Sequence, residues 1–77
     1  MSHVAHELHQ EFPDQADKIT SLKVSNGHFA KLADQYHTVN REIHRIESEV
    51  SPASDDALEA LKKRRLQLKD EIAALLV

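Results

Sequence analysis

Between Leu22 and Val50 the chain repeats itself every seven residues. Leu22, Phe29, Tyr36, Ile43 and Val50 form one series, and Ser25, Leu32, Val39 and Ile46 form a second, offset by three. These are the a and d positions of a heptad, with one polar exception at Ser25, and only helical periodicity accommodates them. A second seam follows: Leu61, Leu68 and Leu75 are seven apart, as are Leu58, Arg65 and Ile72. Arg65 interrupts the apolar row, which predicts that its methylene stem lies on the seam and its guanidinium points outwards.

Ser51-Pro52-Ala53-Ser54-Asp55-Asp56 separates the two seams. Pro52 has no amide hydrogen and disfavours helix at Ser51, so the first long helix should end near Val50. Ser54 is placed to cap the next helix, with Asp55 and Asp56 at its positive end. Two segments of roughly 35 Å at ~1.5 Å per residue, joined by so short a turn, predict an all-α fold: an antiparallel helical hairpin of coiled-coil type. Residues 14–77 make up this domain, with a long helix to about 50, a turn at 51–54 and a second helix over 55–77. Residues 1–13 form a short, frayed helical segment, in which Val4, Leu8 and Phe12 are spaced four apart before Pro13. Asp14 is a candidate cap for the helical restart through Ile19 and Leu22. At Asn26-Gly27 the sequence allows either a continuous or gently kinked helix, with Gly27 tolerated at a cost of ~1 kcal/mol, or a new helix capped by Asn26 after a kink; the continuous or gently kinked one is expected.

Composition narrows the class further. One Gly and two Pro in 77 residues are too few for a turn-rich β fold, and the absence of Cys removes disulfides and thiolate chemistry. No stretch approaches the ~20 apolar residues that span a bilayer, so the cytoplasm is the expected location. The formal charge of −3 is unevenly placed: residues 1–54 carry five basic and eight acidic side chains, and residues 55–77 carry five of each. Neither half has the positive excess that nucleic-acid binding leaves.

Ile19-Thr20-Ser21-Leu22-Lys23, Asn26-Gly27-His28-Phe29, Tyr36-His37 and Arg41-Glu42-Ile43, together with the run from Leu61 to Ile72, resemble the YdcH-like family of small bacterial proteins of unknown function. The similarity covers about residues 15–76, and Leu68-Lys69-Asp70-Glu71-Ile72 is its most specific part. It implies a cytosolic helical hairpin and brings no catalytic residues. Family members often have Pro where this chain has Gly27, which fits a helix start after Asn26.

Three clusters could carry chemistry. His3, His6 and His9 would spread over about 120° of a helix and are weak metal candidates, since neutral imidazole is a good ligand; a solvated terminus is the simpler account. His37 and His44 flank the seam, and protonating all six histidines would take the formal charge from −3 to +3, a possible pH response. Lys62, Arg65 and Lys69 share one face, but Asp70 and Glu71 dilute it and no aromatic residue is interleaved for base stacking. No phosphate loop, metalloprotease motif or nucleophile elbow is present, and no cofactor, small-molecule substrate or enzymatic activity is expected.

The expected role is therefore a structural or interaction module. It pairs with itself or with another helical protein by burying a seam of Leu22, Phe29, Leu32, Tyr36, Val39, Ile43 and Ile46 against Leu58, Leu61, Leu68, Ile72 and Leu75. Arg65 and the flanking charges would set the register. Ile19, Ala33, Leu66 and Ala73 widen the apolar stripe beyond what one partner helix covers. The alternatives are a small nucleic-acid-associated regulator using Lys62, Arg65 and Lys69, or a histidine-based metal- or pH-responsive module. Replacing Leu68 with Asp is expected to abolish helicity or assembly, as read by circular dichroism and light scattering. A normally folded, normally sized variant would refute the seam.

Overall fold

A computed structural model describes residues 6–48 and 53–77. Among these every element is helical: α1 (Leu8–Glu11), a single 3₁₀ turn (Pro13–Gln15), α2 (Ala16–Ser25), α3 (Gly27–Glu47) and α4 (Asp55–Leu76). The expected helix end at Val50 and most of the Pro52 turn lie outside the described residues. On the far side, Ser54 caps α4 as its sequence suggests, its Oγ accepting from the Ala57 amide at 3.1 Å.

The main packing is between α3 and α4, with α2 and the N-terminal segment laid against them. Phe29, Tyr36, Leu68 and Ile72 have no exposed surface and form the centre of the core. Leu32, Ala33 and Leu76 extend it, while Leu8 of α1 and Ile19 of α2 close it from the N-terminal side. Burying side chains of this size stabilises by about 1.5–3 kcal/mol each, so this cluster dominates the stability of so small a chain.

The chain does not run as one helix through Asn26. Asn26 is extended (φ −131°, ψ 106°) and serves two helices at once. Its backbone N–H donates to the Leu22 carbonyl at 2.9 Å and closes α2. Its Oδ1 accepts from the Phe29 amide at 3.1 Å and opens α3. Periodicity alone could not reveal this, because a capped break of one residue leaves the heptad count intact. The break lets α2 leave the axis of α3 and bring Ile19 into the core.

Three other expectations change. Asp14 is exposed in the 3₁₀ turn and does not cap α2, which continues from that turn without a side-chain cap. Leu66 is more than half exposed and takes no part in the core. Arg65 turns inwards, its guanidinium donating to the Asn40 Oδ1 at 2.9 Å, because Asn40 is buried and needs a partner there. At the other end, the Leu76 carbonyl in the last turn of α4 accepts from Gln15 Nε2 at 3.0 Å and Lys18 Nζ at 2.8 Å. Carbonyls at a helix C-terminus lack intrahelical donors and favour a cation, so α2 is fastened to the end of α4.

Gly27 is the first residue of α3, where the amide has no intrahelical acceptor and Pro is well tolerated. It lacks a positive φ, and nothing lies within 4 Å of an added Cβ. Gly27→Pro is therefore expected to stabilise the protein by about 0.4–1 kcal/mol, seen as a melting temperature raised by several degrees. In a continuous helix the same change would be strongly destabilising.

Candidate interaction surface

The predicted seam is sealed on one side and half-open on the other. In α3, Phe29, Leu32, Tyr36 and Ile43 are buried, whereas Val39 and Ile46, like Leu22 of α2, are half-buried. In α4, Leu68 and Ile72 are buried, whereas Leu58, Leu61 and Leu75 are half-buried. Leu76, which the heptad count assigns to neither row, is buried because it continues the Lys62–Lys69 row, seven residues on. Asn40 was also absent from the expected core. It belongs with Ala33 and Glu47, a third row on α3 that faces α4.

That third row gathers the polar chemistry. Lys62 Nζ pairs with Glu47 at 3.3 Å, Arg65 donates to Asn40, and Lys69 Nζ donates to Glu11 Oε1 at 3.1 Å while lying 5.9 Å from the Phe12 ring centroid. The three residues of the proposed basic face thus each have an intramolecular partner, and what remains is no free cationic stripe.

The N-terminal segment supplies the other half of the network. Glu7 lies between two residues of α3: its Oε2 is 3.2 Å from His37 Nδ1, and its Oε1 accepts from Asn40 Nδ2 at 3.5 Å. The Tyr36 hydroxyl donates to the His6 carbonyl at 2.5 Å. His6, Glu11, Tyr36, Arg65 and Lys69 border an open recess of about 200 Å³. Among the described residues no buried side-chain nitrogen or oxygen lacks a partner.

The histidines do not converge. His3 lies outside the described residues. His6 sits in a turn before α1 with φ 66°, its Nδ1 3.4 Å from Glu11 Oε1, while His9 is exposed on α1. The two do not share one helix, and among the described residues no three His, Asp or Glu side chains are grouped to hold a metal. His37 faces Glu7 rather than a neighbouring long helix, and His44 is half-buried near the end of α3.

Glu11 and Tyr36 titrate away from their ordinary values. Burial pushes Glu11 up, but hydrogen bonds and charge from Lys69, and then from His6, outweigh it and leave the carboxyl below 4.5. Its contribution to stability is therefore present above pH 4.5 and lost as pH falls through the lower folded value. Tyr36 is pushed up to about 12, first by burial and then by the charges of Glu11 and Glu7, with Arg65 opposing.

The family model described as "Protein of unknown function (DUF465)" matches residues 29–76. The chain is 35% identical over 65 residues to "Uncharacterized protein YdcH" of Escherichia coli (strain K12), an alignment covering 84% of this chain and 88% of that protein. The protein of the same description from Shigella flexneri matches to the same extent. No solved structure matches.

Tyr36 is the only tyrosine in the chain, so its titration can be followed without ambiguity. Tyrosinate absorbance is expected to rise with a midpoint near 12 in the folded protein and near 10 when unfolded. Since the folded value is the higher one, the stability linked to Tyr36 is complete below pH 10 and disappears as pH rises through about 12. A folded midpoint near 10 would contradict its burial beneath the N-terminal segment.

Proposed function

This chain belongs to the YdcH-like (DUF465) family, and on that premise we propose that it is a non-catalytic helical interaction module. In this reading α3 and α4 form an antiparallel hairpin of coiled-coil type, which pairs with another copy of itself or with another helical protein. The order of the cross-helix partners supports the antiparallel arrangement: Lys62 meets Glu47 and Arg65 meets Asn40, climbing α4 while descending α3.

The observation that carries the proposal is the uneven burial of the seam. The N-terminal segment and α2 seal the side of Phe29 and Tyr36, whereas Val39, Ile46, Leu58, Leu61 and Leu75 keep part of their apolar surface in contact with solvent. A row of half-buried aliphatic residues along two packed helices is what a third or fourth helix of a bundle covers. Small chains without disulfides commonly gain their remaining stability by such association.

A non-enzymatic role accords with the surroundings of the histidines: His6 and His37 each face a carboxylate, but their side chains are about half exposed (53% and 51%). A cytoplasmic location belongs to the same reading; among the described residues no helix is long and apolar enough to cross a membrane.

Light scattering over a range of concentrations tests the assignment. The parent chain is expected at a multiple of 8.7 kDa, with the average mass falling on dilution. Ile46→Asp combined with Leu61→Asp is expected to return it to the monomer mass with helix content largely retained, because neither side chain is fully buried. A parent that stays monomeric throughout overturns self-pairing.

A further inference from the structure

The N-terminal segment holds its place through contacts with the surface beneath it, including the Tyr36 hydroxyl on the His6 carbonyl, rather than through a helix of its own. α1 is a single turn of four residues, Glu7 before it is extended, and no side chain caps its N-terminus. His6 adopts φ 66°, a left-handed conformation that an L-residue with a Cβ rarely takes without outside support. Isolated helices of this length do not form in water. What fixes the segment is a pattern of Glu7-Leu8 and Glu11-Phe12 matched by the surface beneath it. Leu8 enters the core and Phe12 packs at its edge. Glu7 meets His37 and Asn40, and Glu11 meets Lys69.

That surface is built mainly from α3 and α4 and does not need α1 for its shape. Arg65 holds Asn40 from the α4 side, and the core residues Phe29, Leu32, Leu68, Ile72 and Ile19 all lie outside the segment. The fastening of Gln15 and Lys18 to the Leu76 carbonyl anchors the start of α2 independently of residues 6–12.

We propose that the face formed by Tyr36, His37, Asn40, Arg65 and Lys69 is a docking site for a partner's amphipathic helix carrying two carboxylates four residues apart beside apolar anchors, and that residues 6–12 are its resident, displaceable occupant. Residues four apart on a helix share one face, so a longer helix of this pattern presents its carboxylates to His37–Asn40 and to Lys69 together. Such a helix is ordered before it binds. It offers the same carboxylates and apolar anchors as the resident segment while losing less conformational freedom, which is the basis on which it competes. The opposing advantage of the resident is its tether, which places it at an effective concentration in the millimolar range. The site is distinct from the half-open seam and does not depend on self-pairing.

The test uses the full chain and a fluorescent peptide carrying residues 6–12 within an alanine-rich helix, with binding read by anisotropy at a concentration where the chain's mass is constant. The parent is expected to bind weakly. Leu8→Asp in the chain releases the resident segment and is expected to tighten peptide binding by about tenfold or more, as removal of a tethered competitor does. Adding Lys69→Glu should cancel the gain, and a peptide with both glutamates changed to Gln should not show it. Where Leu8→Asp lowers helix content by more than the turn of α1, the comparison passes to Glu7→Gln with Glu11→Gln in the chain, which keeps Leu8. The proposal is overturned by equal binding to the parent and to the folded variant, or by a gain that survives Lys69→Glu or the loss of the peptide's carboxylates.

Discussion

Phe29 and Tyr36 lie one heptad apart on a single helix and neither has any surface left in contact with solvent. Two aromatic rings on one face widen the apolar stripe beyond what a single neighbouring helix covers. The remaining architecture follows from this demand. α4 covers one flank with Leu68 and Ile72, and the other flank is closed by Ile19 and Leu8, which come from elements that must turn back on α3. Asn26 supplies the turn. By ending α2 and starting α3 with its own backbone and side chain, it allows a change of direction without leaving helix ends unsatisfied.

Polar groups then fix how the layers sit. Asn40 is buried among apolar neighbours, and a buried amide without partners costs about 1–3 kcal/mol. Arg65 and Glu7 reach it from opposite sides, one from α4 and one from the N-terminal segment. A shift of either by one residue would break its bond to Asn40. The hydroxyl of Tyr36 acts similarly, tying the most buried aromatic ring to the backbone of His6. A small aliphatic core thus gains a definite arrangement from two polar side chains within it.

This arrangement also divides the surface. The cations that could have made a binding stripe on α4 are each engaged by an acid or amide from another element. His6 and His37 each face a single carboxylate. What stays available is aliphatic: the outer half of the seam, with Val39, Ile46 and Leu61 partly uncovered. Membership of a family described only as of unknown function adds no chemistry to that surface.

The sequence by itself determined the helical class, the Ser54 cap and most of the core, because heptad spacing and capping chemistry act within a few residues of chain. It also identified Leu68 and Ile72. Only the tertiary structure decided that the chain's own N-terminal segment covers the core, that Asn26 breaks the helix, that Arg65 turns inwards and that Leu76 is core while Leu66 is not. The Asn26 break is made locally but leaves the heptad count intact, whereas the others depend on groups far apart in sequence, as Gln15 with Leu76 or Glu7 with Asn40 show. Periodicity gives the face a side chain occupies on its own helix. Which neighbour meets that face depends on how the helices fold back on one another, and no local pattern records that.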